Sequence, residues 1–358
     1  MVEAVLTVYI VFISLVALFL FVLSFRRRPR QEYLTSKGYN PKVLVIIPCK
    51  GLDIGLAGNL TAAKRQRYSN YEVIAVVESE KDEAVRSIKA AGLKFIISKF
   101  NCRNCSGKVR NISAALSQFK GYDAYVILDS DAHVGRDWLS GIIAPLHDKR
   151  VGLSTSFPAF RPIGGFWSYV KFVWGFVGIS LMESPSTRFG WGGTLAFRKD
   201  FLSKADFRRF SESVSDDIAL TDIAKAKGLK IAYVPGIDII IDSNDSFKVF
   251  WEWANRQTAL SINGSGKVFY YGVIFYSASI LVFLSAIILS IFVNPVFLLL
   301  LLPFIAGWAK TYRRSNGSLA AICIYPLINF VYLANLIKAK GMRKIRWRGR
   351  TYDLGHSK

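Results

Sequence analysis

The stretch YVILDSDAHVGRDWL, residues 125–139, opens on an apolar run from Tyr125 to Leu128 and ends on two carboxylates, Asp129 and Asp131, one residue apart. A short β-rich run bounded by polar turn residues reads as a buried strand. Two acids after such a strand fit a solvated turn or a helix cap. They equally fit a site for an oxygen-seeking cation, because side chains at i and i+2 of an extended backbone share a face.

Upstream, three more runs share the strand character: KVLVIIP (42–48), YEVIAVVE (71–78) and LKFIIS (93–98). Helical stretches are expected over 57–68, 81–91 and 107–119. This alternation predicts an α/β fold with a mainly parallel sheet covered by helices. Ligands of such sheets bind beyond the carboxyl ends of the strands. Pro48-Cys49-Lys50-Gly51, Glu78-Ser79-Glu80 and Asp129-Ser130-Asp131 all fall at those ends.

The chain has 358 residues and is 52% hydrophobic, enough for one domain of roughly 200–250 residues plus membrane segments. Residues 4–25 carry no charge and are long enough for a helix to cross a hydrocarbon core about 30 Å thick. The basic cluster RRRPR (26–30) follows this run, whereas a cleaved signal has a basic start and a shorter core. Basic residues collect on the cytoplasmic side of a span, which predicts an integral membrane protein whose central domain faces the cytoplasm. Residues 268–293 can span, and 296–309 return to the basic loop KTYRR. A last run, 319–337, contains Pro326 and has basic ends; it reads as a re-entrant or interfacial helix rather than a full crossing, with its topology open.

The expected division is an anchor and basic flank over 1–30, a soluble domain over 31–266, membrane helices over 267–340 and a basic tail over 341–358. The formal charge of +22 comes from 47 Lys and Arg against 25 Asp and Glu. The surplus lies beside the apolar segments, where anionic headgroups attract each basic residue by about 1 kcal/mol, so it points to a bilayer and not to nucleic acid. Four cysteines make no disulfide framework. Cys102 and Cys105, in NCRNCSGK, lack the second pair or histidine that zinc needs, and cytoplasm would keep them reduced.

Other motifs carry chemistry as well. SVSDDIAL (213–220) places Asp216 and Asp217 at a helix start, where carboxylates suit the unpaired amides and the macrodipole. FGWGGTLAFRKDFL (189–202) fits a glycine-rich turn, a strand and a helix start. Gly192 and Gly193 permit either tight backbone geometry or close approach of a ligand, with Trp191 offering an apolar face. CSGKVRNISAAL (105–116) carries Lys108 and Asn111, and WEWANRQTALSIN (251–263) carries Trp253, Arg256 and Gln257. The aromatic stretch 164–183 fits a core helix or an interfacial one. RWRGRTY (346–352) suits either closing a site or anchoring to headgroups.

In this order, the N-terminal apolar segment, VIIPCKG, LDSDAHV, FGWGGTLAFRKDFL, VSDDIALTDIAKAKGLKI and WRGRTY resemble a membrane-anchored family 2 glycosyltransferase. The ceramide glucosyltransferase branch is the nearest likeness, and it extends over nearly the whole chain. The resemblance implies a glycosyltransferase-A-like nucleotide-sugar-binding domain with N- and C-terminal membrane helices. It also implies Mg²⁺ or Mn²⁺ on Asp131 and Asp129, with donor contacts from Lys50, Glu78, Lys108, Asp129 and Arg256. Trp191, Gly192, Gly193, Trp253 and Gln257 would meet sugar or acceptor, and Asp217 would be the general base, assisted by Asp216. The implied reaction is inverting transfer of a hexose, glucose from UDP-glucose above all, to the hydroxyl of a membrane lipid such as ceramide.

Relatives carry Gln-or-Arg-x-x-Arg-Trp where this chain has Trp253, Arg256 and Gln257, a departure that weighs against close identity with processive polysaccharide synthases. Transfer to a polyprenyl phosphate, or processive polysaccharide synthesis, is the alternative within the same chemistry. A membrane protein that merely binds anionic lipid or nucleotide is the alternative from another class.

Overall fold

The computed structural model describes residues 2–25, 38–237 and 239–354; the basic cluster 26–30 lies outside them. In chain order the first elements are α1 (Val2–Phe25), β1 (Val43–Pro48), α2 (Leu56–Lys64), β2 (Tyr71–Val77), α3 (Ala84–Ala90), β3 (Lys94–Ile97), α4 (Gly107–Gln118) and β4 (Ala124–Leu128). Next come β5 (Ala132–Val134), α5 (Trp138–Ile143), β6 (Val151–Thr155), β7 (Ala159–Gly164), α6 (Phe166–Met182), β8 (Thr194–Arg198), α7 (Lys204–Ser211) and α8 (Asp216–Ala226). The remainder are β9 (Lys230–Tyr233), β10 (Ile239–Asn244), α9 (Phe247–Gly264), α10 (Lys267–Phe292), α11 (Leu302–Arg314), α12 (Leu319–Lys340), β11 (Lys344–Trp347) and β12 (Arg350–Asp353). They form two compact units.

The larger unit gathers the described parts of Pro29–Ile163, Val177–Asn244 and Arg343–Lys358. Its seven-stranded sheet has the order β3-β2-β1-β4-β8-β6-β9. β1 pairs in parallel with β2 and β4, while β8 runs antiparallel to β4 and β6. Every residue of β1 and β4 is buried, as both faces of a helix-covered sheet require. Leu44, Ile46, Ile74, Val76 and Ile127 share a core with Val109 and Ile112 of α4 and with Leu220 and Ile223 of α8. Each such side chain contributes about 1.5–3 kcal/mol by leaving water. This is the expected α/β fold, a glycosyltransferase-A-like layered sheet with parallel strand ends free to build a site.

Two expectations about this unit change. Asp129 and Asp131 do not sit on extended backbone. β4 stops at Leu128, and the amide of Ala132 donates to the Asp129 carbonyl at 3.1 Å, closing a tight turn into β5. In addition, the segment read as a basic tail folds as the antiparallel hairpin β11–β12. Cys102 and Cys105 face one another across a short loop, with Cα atoms 5.7 Å apart.

The smaller unit comprises the described parts of Met1–Arg28, Gly164–Phe176 and Asp245–Met342. Among the described residues four segments are long and apolar enough to cross a membrane: Glu3–Ser24, Lys267–Phe292, Pro295–Arg314 and Leu319–Lys340. The last is one continuous helix with Pro326 inside it. Ile13 and Ala17 of α1 pack with Val282 and Ala286 of α10 and with Phe304 of α11. A polar seam also runs through this unit. Lys171 pairs with Asp245 at 3.1 Å, Trp174 Nε1 donates to Asn335 Oδ1 at 3.2 Å, and Asn335 Nδ2 donates to Asn255 Oδ1 at 2.9 Å. Buried polar groups persist where they satisfy one another in this way.

Candidate active site

The site assembles on loops at the carboxyl ends of β1, β2 and β4 and on the first turns of two helices. Ser106 caps α4 by accepting from Val109 N at 3.2 Å. That cap fixes Lys108 in the first turn with its ammonium turned inward. The ammonium contacts Asp129 Oδ1 at 2.8 Å and Asp216 Oδ2 at 3.0 Å, and it donates to the Gly192 carbonyl at 3.0 Å. Two carboxylates and a carbonyl surround one ammonium, so Lys108 is the hub of the cluster. Burial works against its charge, and the Asp129 and Asp216 carboxylates outweigh burial, holding the ammonium above its ordinary pKa.

Asp216 is the buried member of the Asp216–Asp217 pair. Burial pushes its carboxyl up to about 7, with the Lys108 charge opposing that rise. Asp217 sits half-buried in the same first turn of α8. Its Oδ1 accepts from the Ser215 hydroxyl and, at 2.8 Å, from Ile218 N. Its Oδ2 accepts no hydrogen bond from the described residues. A carboxylate with one oxygen anchored and the other open has the form a general base needs.

Antiparallel pairing sets Leu128 of β4 opposite Thr194 of β8, which brings the glycine turn beside the acidic one. Asp129 N donates to the Gly193 carbonyl at 3.0 Å. Neither Gly192 nor Gly193 has positive φ; what each supplies is space. A Cβ at Gly192 would lie 2.8 Å from Asp216 Oδ2 and 3.0 Å from Lys108 Nζ, and one at Gly193 would lie 2.1 Å from Trp191 Cη2. Trp191 itself is half-buried against Phe157, 5.7 Å between ring centroids. Gly192→Ala is therefore expected to cost about 1–3 kcal/mol by overpacking the Lys108–Asp216 pair. Gly58→Ala, where a Cβ meets nothing within 4 Å in helix α2, should leave stability unchanged or raise it slightly. Thermal melting of the two variants checks the contrast, and equal melting points would discount the close approach.

At the end of β2, Glu78 accepts both guanidinium nitrogens of Arg350, at 2.7 and 2.6 Å, and lies 3.5 Å from Lys50 Nζ. Beside β1, burial pushes the Cys49 thiol up to about 12, which removes it as a nucleophile. Asn59 and Asn111, each opening an Asn-x-Ser/Thr triplet, are interior hydrogen-bonding positions: Asn59 Nδ2 donates to the Ser130 carbonyl at 3.1 Å and Asn111 Nδ2 to the Val76 carbonyl at 3.2 Å.

The larger unit thus contains Lys50, Glu78, Lys108, Asp129, Asp131, Trp191, Gly192, Gly193, Asp216 and Asp217. Trp253, Arg256 and Gln257 lie on α9 in the smaller unit, where Trp253 packs edge-on to Trp174 and beneath Lys171 Nζ. Sequence reading missed Asp53, whose Oδ2 accepts from the Ser130 hydroxyl at 2.6 Å, and it left Arg348, Arg350 and Tyr352 between two roles. The signal for the hairpin was present: Arg348-Gly349 between the β-rich runs KIRW and RTYD fits a two-residue turn.

The donor atoms on the β4–β5 turn are carboxylate oxygens, the ligands that Mg²⁺ and Mn²⁺ prefer. Asp129 keeps 29% of its side-chain surface exposed. Among the described residues no three His, Cys, Asp or Glu side chains gather as a metal cluster. The chemistry of these two carboxylates suits such a cation, whose remaining ligands would come from outside the chain.

Residues 6–358 match the model of Glycosyl transferase family 21. No curated protein matches the chain. Among solved structures, the mannosyltransferase PcManGT from Pyrobaculum calidifontis, in complex with GDP-Man and Mn²⁺, is 18% identical with a TM-score of 0.56, over 95% of this chain and 98% of its own. Glucosyl-3-phosphoglycerate synthase from Mycobacterium tuberculosis, in complex with Mn²⁺ and UDP-glucose, is 16% identical with a TM-score of 0.42, over 67% of this chain and 85% of its own. At such identities the PcManGT likeness is one of fold.

Proposed function

This chain belongs to glycosyl transferase family 21, and on that premise we propose that it moves a hexose, glucose from UDP-glucose above all, to the hydroxyl of a membrane lipid such as ceramide. The observation that carries the chemistry is Asp217, with one oxygen anchored and one free, beside the Lys108-centred cluster. The acceptor hydroxyl gives its proton to Asp217 Oδ2 as its oxygen forms the bond to the anomeric carbon. The bond from that carbon to the diphosphate oxygen breaks, and the electron pair leaves with the diphosphate. One displacement of this kind inverts the anomeric centre.

A divalent cation on Asp129 and Asp131 would supply charge neutralisation for the leaving diphosphate. Lys108 holds Asp129 and Asp216 in place and draws the Gly192 carbonyl toward them, and Asp216 in turn orients the first turn of α8. Lys50 and Glu78 would meet the nucleoside end, Trp191 and the glycine turn the sugar.

Four segments able to cross a membrane support a lipid acceptor, since an acyl chain can stay in hydrocarbon while its headgroup reaches a surface site. Lys310, Arg313 and Arg314 near the end of α11 support a site facing the cytoplasm.

The test offers the full-length protein in detergent a panel of radiolabelled nucleotide sugars with bilayer lipids, and identifies the labelled product by mass spectrometry. Label is expected in a glycolipid, from UDP-glucose first. Label on a polyprenyl phosphate redirects the acceptor, and no lipid label from any donor sinks the proposal. Excess chelator should abolish labelling and added Mn²⁺ or Mg²⁺ restore it; undiminished transfer under chelation would remove the cation.

A further inference from the structure

Arg348 stands where a hairpin ordinarily places Asn, Asp or Gly. The two-residue turn Arg348–Gly349 has φ of 49° and 77°, the paired left-handed geometry of a type I′ connection. That backbone is unfavourable for a residue with a Cβ, and such strain persists where the surroundings hold it in place. The turn directs the guanidinium to Asp53, with which it forms a hydrogen-bonded ion pair. Asp53 keeps only 9% of its side-chain surface and holds the hydroxyl of Ser130, the residue between Asp129 and Asp131.

Arg348 is thus the outer end of a relay through Asp53 and Ser130 to the turn that carries both acids. It also feels the charges of Asp131 and Asp129 directly. With 37% of its side chain exposed, part of its fork of donors still faces outward. On the same hairpin Arg350 grips Glu78, and the Tyr352 hydroxyl accepts from Gly107 N at 3.3 Å. The hairpin therefore meets the acidic ends of both β2 and β4.

We propose that Arg348 binds the diphosphate of the nucleotide-sugar donor, exchanging its contact with Asp53 for diphosphate oxygens. The proposal rests on the glycosyltransferase reading of this site. A planar guanidinium matches two phosphate oxygens at once, and a charge carried on a hairpin tip can turn from one acid to the incoming anion without disturbing the sheet. Arg350 acts through Glu78, as a positioning residue for the nucleoside end.

Calorimetric titration of the full chain in detergent with UDP and with GDP, each with Mn²⁺, tests this. Arg348→Gly removes the guanidinium and suits the left-handed turn better than arginine, so folding is retained. It is expected to weaken nucleoside diphosphate binding about tenfold or more. Asp53→Asn keeps an acceptor for the Ser130 hydroxyl while releasing Arg348, and should bind the diphosphate as tightly as the parent chain or more tightly. Unchanged affinity in Arg348→Gly overturns the proposal and leaves the donor site standing. Equal losses in Arg348→Gly and Asp53→Asn overturn it too, since they would mean a pair that only fastens the hairpin. If the parent chain binds neither diphosphate, the donor reading fails and the proposal with it.

Discussion

Asp217→Asn is expected to lower the rate of sugar transfer by about 10²–10⁴-fold, the range over which a positioned general base contributes, while donor affinity stays near that of the parent. Asparagine matches aspartate in shape. Its carbonyl oxygen can still accept from the Ser215 hydroxyl and from Ile218 N, so the start of α8 keeps its geometry. What it cannot do is take the proton of the acceptor hydroxyl. The loss should therefore appear in kcat and not in the KM for donor, as expected when an interaction made only in the transition state is removed. Asp216→Asn supplies the comparison. Asp216 is buried against Lys108 and faces no free path to an acceptor, so its replacement should disturb donor binding as well as rate. Transfer by Asp217→Asn at close to parental speed would remove Asp217 from the role of base.

The second large effect falls on stability. Lys108→Met is expected to cost about 3–5 kcal/mol at neutral pH, because deleting one partner of a buried ion pair leaves the other charge uncompensated. The cost should depend on pH with a definite sign. Asp216 already has a native pKa raised above its unfolded value, to about 7, by burial against the opposing Lys108 charge. Without that charge the native value rises further. A carboxyl raised in the folded state holds a proton there that the unfolded chain releases, so stability falls as pH increases from the unfolded pKa through the native one. The deficit of Lys108→Met relative to the parent should widen from about pH 7 upward, where Asp216 ionises in the parent but keeps its proton in the variant; at lower pH both folded chains hold that proton and lose stability in parallel. Melting temperatures on both sides of that pH measure it. A deficit that does not change with pH would mean that Lys108 matters for packing alone.

Much of the larger unit is legible in residue patterns because its causes are local or periodic. β1 and β4 are continuous apolar runs that only a strand covered on both faces can use; β1, Val43–Pro48, falls within a residue of the expected 42–48, while β4, Ala124–Leu128, ends three residues before the expected 125–131. The start of α8 at Asp216 follows from two acids before a helical run, and the four candidate spans follow from length and hydropathy. Expectation failed where a contact partner lies far away in the chain. The extended geometry assumed for Asp129 and Asp131 gave way to a turn held by Asn59 and Asp53, about 70 residues earlier, through the carbonyl and hydroxyl of Ser130. By sequence Gly192 and Gly193 fit tight backbone geometry or, preferred, the close approach of a ligand. Their absence of Cβ is required instead by Asp216, Lys108 and the Trp191 ring.

The sequence by itself determined the alternation that makes the sheet, the apolar segments, the family's ordered motifs and which carboxylates stand at strand ends. Those features are set by backbone propensity and by which faces must leave water, and both are written at short range. Only the tertiary structure decided that Lys108 joins Asp129, Asp216 and the Gly192 carbonyl, that Asp216 is the buried acid while Asp217 keeps an oxygen free, and that Arg348 and Arg350 reach Asp53 and Glu78 across some 270–295 residues. Each of these is a pairing between charges whose energies depend on burial and on distances of about 3 Å, quantities that exist only once the chain has closed on itself.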